Sequence, residues 1–293
     1  MQIEQLRAFA TAVDLGTLDA AARALTLTPS AMSQRLRALE TSAGSVLLER
    51  STPVRPTVAG EIVLRMARQV LLIEAEARHD LGATAETEPA VLRMVVNADS
   101  LATWFPVVLE RAATWPDAVL HLTVADQAVA ADHLIRGAAM AAVTSRARAA
   151  SGCRSVPLGV MRYVAVARAE LAASGLAGLP MVNFGPDDDL QDAYLARHGL
   201  GRPPRVTQVP SSEGFLAAVE AGLGWGMMPE LQLAGAEADL RPLGADAVVD
   251  VPLFLHRWKL ASERLDRLCA TVVEFGNVHL AKSLATTGGR RLG

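Results

Sequence analysis

The first 57 residues carry apolar positions at the spacing of short helices. Apolar side chains recur every three or four positions over 3–15, and a glycine then ends the pattern. A second helix is predicted from residue 17 to about 25. Thr28 is a good N-cap and Pro29 suits the first helical turn, so a third helix is predicted over about 29–40. The pattern predicts a small all-α domain at this end of the chain.

A long amphipathic helix follows an irregular segment. The irregular part, 47–56, carries Arg50 and Arg55 beside two prolines. The helix is predicted over 58–81, where a narrow apolar stripe recurs at intervals of three and four, as in helices that pack along one another. Small and acidic residues at 82–89 then predict a hinge and a domain boundary. The apolar stripe consists of Ile62, Met66, Val70, Ile73, Ala77 and Leu81.

Beyond residue 90 the pattern changes to short apolar runs that alternate with helical segments. This alternation predicts an α/β architecture with mainly parallel sheets. The number of strands and the late final helix indicate two sub-domains. The predicted strands are 92–97, 120–125, 139–144, 163–167, 181–184, 206–209, 226–228 and 253–256, and the predicted helices lie near 101–114, 129–136, 187–197, 213–221 and 262–282.

Composition limits the possible protein classes. The chain has 293 residues, 51% of them hydrophobic, and a net charge of -3, so any nucleic-acid binding must come from a local patch. Cys153 and Cys269 stand alone and predict neither a disulfide framework nor a metal site. The first residues lack the layout of a signal peptide, and no apolar run has membrane-spanning length. We therefore expect a soluble, cytoplasmic protein without cofactor or metal.

The third predicted helix has the composition of a DNA-reading element. Met32, Leu36 and Leu39 share one face, whereas hydroxyl, amide and guanidinium groups, which hydrogen-bond base edges and phosphates, share the opposite face. A solvated polar face is the alternative, and residues 1–58 hold only six arginines against five acidic residues. The candidate DNA-binding residues are Arg23, Thr28, Pro29, Ser30, Ser33, Gln34, Arg35, Arg37, Arg50 and Arg55.

The sequence of this region resembles a known family. The run TPSAMSQRLRALE (28–40), with LLER (47–50) and PTVAG (56–60), is similar to the winged helix-turn-helix of LysR-type transcriptional regulators. The runs NADSLATW (97–104), SSEGF (211–215) and HRW (256–258) resemble its ArgP/LysG-like branch, which regulates export of basic amino acids. This resemblance favours DNA binding over a merely solvated polar face for the third helix.

The resemblance also implies an architecture and partners. We expect an all-α winged helix-turn-helix domain at 1–57, a linker helix and hinge at 58–88, and an α/β effector domain at 89–293. Two Rossmann-like sub-domains, as in periplasmic binding proteins, are expected at about 89–161 with 260–285 and at about 162–259. The implied partners are promoter DNA, RNA polymerase, lysine or arginine as effector, and a second copy in a dimer or dimer of dimers.

Polar residues cluster where predicted strands end, which is where α/β domains bind ligands. Carboxylates there can pair with an ammonium or guanidinium group, and hydroxyls at helix starts suit a carboxylate. Ordinary helix capping is the alternative for each residue, and the run 187–189 is expected to be a solvated helix start. The candidate effector residues are Asn97, Asp99, Ser100, Asp126, Thr144, Ser145, Ser211, Ser212, Glu213 and His256.

Two other functions remain open at this point. The chain could be a small-molecule-binding protein whose N-terminal helices contact only other proteins. An α/β enzyme is the third possibility, although no catalytic arrangement of Ser, His and Asp is evident and the glycine-rich run 222–226 does not enter a long helix. Sequence-specific, salt-dependent DNA binding discriminates the regulator from the binding protein.

Overall fold

The structure is a computed structural model that describes residues 1–49, 51–81, 89–126, 129–186 and 188–281. Arg50, one of the candidate DNA-binding residues, lies outside the described residues. Most of the predicted hinge and the last residues of the predicted sub-domain I also lie outside them.

Three short helices, a small β-hairpin and a long helix form the N-terminal part. The three helices predicted from the sequence are confirmed, and the third extends three residues further than predicted. The segment predicted to be irregular contains two short strands that pair antiparallel, Leu48 with Pro56 and Glu49 with Arg55. The elements are α1 (Ile3–Leu15), α2 (Leu18–Ala24), α3 (Pro29–Ala43), β1 (Leu48–Glu49), β2 (Arg55–Pro56) and α4 (Val58–Asp80).

Local side chains set the limits of these helices. The hydroxyls of Thr17, Thr28 and Thr57 each accept a backbone N–H from the first turn of α2, α3 and α4, at 3.0–3.2 Å. Gly16 and Gly44 end α1 and α3 with φ of 73° and 67°, a left-handed conformation that glycine adopts without steric cost. The same caps fix where α3 begins and thus which residues its first turn presents.

The inner faces of these helices form a common core. Phe9 of α1 and Met32 and Leu39 of α3 are fully buried, and Ala67 of α4 packs against them. Burial of the Phe9, Met32 and Leu39 side chains contributes about 1.5–3 kcal/mol each. The opposite face of α3 therefore remains free to face a partner.

The apolar stripe predicted on the long helix is divided by the tertiary packing. Met66 and Val70 pack against the N-terminal core, whereas Ile62 and Ile73 are exposed by 70% and 48%. Leu81 at the end of the helix is also exposed. The described chain thus leaves an apolar strip on α4 without a partner.

The remaining elements form a mixed α/β domain. All eight predicted strands are present, although Pro106 splits the helix predicted at 101–114 into two. The elements are β3 (Ala90–Val96), α5 (Ala98–Ala102), α6 (Pro106–Ala112), β4 (Ala118–Val124), α7 (Ala130–Ile135), β5 (Ala141–Thr144), β6 (Cys153–Arg168), α8 (Ala169–Ala172), β7 (Met181–Asn183), α9 (Leu190–Arg197), β8 (Val206–Gln208), α10 (Ser212–Glu220), β9 (Gly226–Pro229), α11 (Glu230–Leu233), β10 (Leu240–Pro242), β11 (Val248–Trp258) and α12 (Glu263–His279).

The expectation of mainly parallel sheets is wrong for the largest sheet. Strands β3, β4 and β5 pair in parallel, but β6 pairs antiparallel with β9, β10 and β11. Strand order is β10-β6-β11-β5-β3-β4, with β9 also on β6, and β7 and β8 form a small parallel sheet. Apolar runs do not encode strand direction, which depends on pairing partners far away in the sequence.

Strands β6 and β11 connect the two halves of this domain. One end of β11 pairs with β5, and the other end pairs with residues of β6 that also pair with β9. The register between β6 and β11 shifts at Leu253, between the two ends. The halves are therefore joined by two long paired strands, with the ends of β3, β4 and β7 facing the space between them.

The end of the long helix is fixed to the last helix. The Glu76 carboxylate accepts hydrogen bonds from the Ser262 hydroxyl at 2.5 Å and from the Arg264 guanidinium at 2.8 Å. Arg264 also forms an ion pair with Asp117 at 3.0 Å.

Among the helices that the structure describes, none combines the length and the apolar character that a membrane span requires.

Candidate functional site

The exposed face of α3 is the first candidate site. Ser30, Gln34 and Arg37 are exposed on this helix, opposite the buried Met32 and Leu39. The helix N-terminus, which carries Ser30, is the end that reaches base edges in helix-turn-helix proteins. The predicted separation of a buried face and a polar face is therefore present.

The structure distinguishes among the other predicted DNA-binding residues. The Thr28 hydroxyl caps α3 and lies 3.0 Å from the Ser30 hydroxyl, so part of its hydrogen-bonding capacity is used. Arg35 is half-buried and pairs with Glu4 at 3.3 Å. Three other predicted DNA-binding residues are exposed: Arg23 on α2, Pro29 on α3 and Arg55 on the hairpin. Ser33 is half-buried.

A cleft of about 540 Å³ between the two halves of the α/β domain is the second candidate site. Residues that follow β3, β4 and β5 line one side, and residues that follow β7 and begin α10 line the other. The volume lies in the range of sites for small molecules. Strand ends and helix starts thus meet here, as the sequence predicted.

Asp99 lines the cleft and is hydrogen-bonded to side chains from β6 and α10. One carboxylate oxygen accepts the Tyr163 hydroxyl at 2.7 Å, and the other accepts the Ser212 hydroxyl at 2.7 Å. Burial raises the pKa of Asp99, and the negative charge of Asp126 raises it further. The hydrogen bonds from Ser212 and Tyr163 lower this pKa, because they stabilise the charged carboxylate. A cation next to Asp99 would relieve the cost of keeping this carboxylate charged.

Three further carboxylates, of Asp126, Asp188 and Asp189, line the cleft. Asp188 accepts the backbone N–H groups of Phe184 and Leu190 at 3.3 and 3.2 Å. Burial raises the pKa of Asp188, and the nearby charges of Asp99 and Asp126 raise it further. None of the described residues that line the cleft is Arg, Lys or His, so its electrostatic field attracts cations.

Half of the predicted effector residues lie in this cleft. The structure brings together Asn97, Asp99, Asp126, Ser145 and Ser212. Asn97 is 5% exposed, and its side-chain oxygen has no hydrogen-bond partner within the described residues.

The other predicted effector residues lie outside the cleft lining. Ser100, Thr144 and His256 are fully buried, and the Thr144 hydroxyl accepts the Arg146 N–H at 3.2 Å. Burial lowers the pKa of His256. The exposed Ser211 and Glu213 begin α10, where the Ser211 hydroxyl caps the helix through the Gly214 N–H at 3.3 Å. The capping alternative considered from the sequence therefore describes Ser211.

Sequence reasoning missed several cleft residues. Asp188 and Asp189 lie at the start of α9, as predicted for the run 187–189, but both also line the cleft, which was not predicted; residue 187 lies outside the described residues. The position of Asp188 after β7 was the signal that could have identified it. Tyr163 lies within a long strand and reaches the cleft only because β6 crosses between the halves, so no local signal marks it.

No group of His, Cys, Asp or Glu within the described ranges is arranged to hold a metal ion. The site chemistry rests instead on hydrogen bonds and charge. The cleft can hold a small cationic molecule, and the α3 face can hydrogen-bond a polar surface.

Family models match both parts of the chain that carry these candidate sites. Residues 3–61 match the family model for the bacterial regulatory helix-turn-helix protein of the lysR family, and residues 85–277 match the LysR substrate binding domain. The lysine export transcriptional regulatory protein LysG of Corynebacterium efficiens is 42% identical over 275 residues, which cover 90% of this chain and 94% of LysG.

Two solved structures have similar folds over nearly the whole chain. ArgP from Mycobacterium tuberculosis has a TM-score of 0.81 at 39% identity, covering 95% of this chain and 98% of ArgP. Full-length LysG from Corynebacterium glutamicum with bound effector Arg has a TM-score of 0.76 at 37% identity, covering 96% and 100%. The chain belongs to the LysR family of bacterial helix-turn-helix transcription regulators.

Proposed function

We propose that the cleft binds a cationic amino acid, arginine or lysine, as the effector of this regulator. The observation that carries this proposal is the set of four carboxylates around about 540 Å³, with no cationic side chain among the described lining residues. An empty cleft of this kind holds mutually repelling charges, which a cationic ligand neutralises. Glutamate, aspartate and other anions are disfavoured for the same reason.

The two ends of the ligand would meet different groups. Asp99 is the most buried of these carboxylates and would pair with an ammonium or guanidinium group, with Asp126 and Asp188 adding attraction. The amide of Asn97 and the hydroxyl of Ser145 are neutral donors in the same cleft and would take the α-carboxylate. The hydroxyl of Ser212, which we expected from the sequence to take that carboxylate, already donates to Asp99.

The relatives support the same class of ligand. The solved LysG structure from Corynebacterium glutamicum carries Arg as effector, and the Corynebacterium efficiens relative is named for lysine export. The two matches cover 96% and 90% of this chain. An amino-acid exporter gene is accordingly the proposed target.

The N-terminal part would bind DNA in response to the effector. We infer that α3 enters the major groove of promoter DNA and that two copies pair through the exposed strip on α4 that includes Ile62 and Ile73. Effector binding would shift the geometry of the paired domains, and hence the contact with RNA polymerase in the cytoplasm. In this proposal the DNA-binding part is 1–57, the dimerisation part is 58–88 and the effector-binding part is 89–293; these are called the reading, pairing and sensing parts.

Isothermal titration with matched ligand pairs tests the charge requirement. Citrulline has nearly the shape of arginine without its charge, and norleucine is the uncharged counterpart of lysine. We expect arginine or lysine to bind with one site per chain, and the neutral partner to bind at least about 30-fold more weakly, since loss of a buried charge pair costs about 2–5 kcal/mol. Equal affinity for a charged ligand and its neutral counterpart would contradict the proposal.

A further inference from the structure

A second cavity lies at the junction between the reading and sensing parts of the chain. Its volume is about 330 Å³. Helix α1 contributes Arg7 and Asp14, α4 contributes Arg68, Glu74 and Arg78, and strand β3 contributes Arg93. The walls therefore come from the DNA-binding domain, the linker helix and the effector domain at once.

The charges around this cavity do not balance. Four guanidinium groups face only two carboxylates, and each carboxylate is shared by two of them. Glu74 accepts Arg7 at 2.5 Å and Arg78 at 2.6 Å, one on each oxygen. The cavity thus carries an excess of two positive charges among its described residues, in contrast to the acidic effector cleft.

The second carboxylate is shared in the same way. Asp14 pairs with Arg68 through one oxygen and with Arg93 at 2.6 Å through the other. Both guanidinium groups are largely buried, with 7% and 15% of their side chains exposed. Burial lowers the pKa of Arg93, and the charge of Arg68 lowers it further, although Asp14 opposes both effects. An additional anion here would relieve this repulsion.

One buried donor at this site has no hydrogen-bond partner in the part of the chain that the structure describes. Arg68 gives one terminal nitrogen to Asp14 and the other to the Gly137 carbonyl at 2.5 Å. Its Nε, on a side chain more than nine-tenths buried, makes no hydrogen bond within the described residues. A buried donor left unpaired costs about 1–3 kcal/mol, so the Arg68 guanidinium is incompletely satisfied by the protein groups described around it.

The cavity combines these two ionic groups with an apolar lining. Arg7 and Asp14 are seven residues apart on α1, which separates their backbones by about 10 Å. Leu71, Leu72 and Met140 line the cavity as well. This arrangement matches a short molecule with an acidic group at each end and an aliphatic middle.

We propose that this cavity, which we name the junction cavity, is a second ligand site that binds a small organic dianion such as a dicarboxylate. A ligand held there contacts both α1 and β3 and would fix the DNA-binding domain against the effector domain. This proposal is independent of the effector cleft, because no residue lines both cavities.

Isothermal titration with glutarate on the full chain, at constant ionic strength set with NaCl, tests the proposal. Pentanoate, which has the same carbon number and one carboxylate, is the matched ligand. We expect saturable glutarate binding with one site per chain, and binding of pentanoate at least about tenfold weaker, because it pairs with one end only.

Arginine variants locate the site. Arg93→Gln and the more exposed Arg78→Gln should each weaken glutarate binding about tenfold or more, with circular dichroism and thermal unfolding to verify the fold. Arg37→Gln, on the DNA-reading face, is the matched control and should bind within about twofold of wild type. Absence of saturable glutarate binding, unchanged binding in both cavity variants, or loss in Arg37→Gln alone would overturn the proposal.

Discussion

Replacing Asp99 by asparagine is expected to weaken effector binding strongly while leaving DNA binding intact. The substitution keeps the size of the side chain and removes its charge. Asp99 is half-buried and accepts two hydrogen bonds at 2.7 Å from Tyr163 and Ser212. An asparagine can still accept one of these bonds and donate another, so the local structure should persist.

The magnitude follows from what the ligand loses. A cation held in the cleft of the variant lacks its most buried partner, and truncating one member of a buried charge pair costs about 2–5 kcal/mol. Such a loss corresponds to a rise in Kd of roughly 30-fold to several thousand-fold. Asp126 and Asp188 still line the cleft and should keep the effect toward the lower part of this range.

Two further variants separate charge from structure. Tyr163→Phe deletes one hydrogen bond to Asp99 but keeps the carboxylate, and because that bond exists before the ligand arrives, we expect less than about a tenfold change in Kd. Asp132→Asn, on the exposed surface of α7 and outside the cleft lining, should bind like wild type.

Isothermal titration of arginine and lysine against wild type and the three variants measures these differences in Kd. A DNA titration at fixed salt shows whether each variant retains the DNA affinity of wild type. An Asp99→Asn protein that binds the effector within about twofold of wild type would refute the reasoning. Equal weakening by Tyr163→Phe and Asp99→Asn would assign the effect to loss of structure and not to charge.

Three other outcomes follow from the same structure. Gln34→Ala and Arg37→Ala should each weaken specific DNA binding by about 1–3 kcal/mol in titrations at fixed salt, and unchanged affinity in both would remove them from the reading face. Ile62→Glu with Ile73→Glu places charges on an apolar strip that is exposed in one chain, so the fold should survive while light scattering shows loss of the dimer. Effector affinity should fall as the pH is lowered from neutrality toward the raised pKa values of Asp99 and Asp188, because protonation removes the attracting charges while the ligand stays cationic. Titrations across this range check the direction, and a constant affinity would contradict it.

The sequence alone determined the features that depend on local interactions. The helix starts at Thr17, Thr28 and Thr57 follow from side-chain caps a few residues away, and the two faces of α3 follow from helical periodicity. The eight strands were predictable as apolar runs for the same reason. The polar residues after β3 and β4 were identified as a site because strand ends converge in α/β domains.

Tertiary structure alone decided which of these residues meet. Strand direction in the large sheet depends on the pairing of β6 with β11, whose residues are about ninety positions apart in the sequence. That pairing brings Tyr163 to Asp99, and the tertiary fold places Asp188, at the start of α9, in the same cleft as Asp99. The split of the apolar stripe on α4 between the core and the surface has the same origin. Periodicity shows which side chains share a face, but only packing against distant elements determines what each face contacts.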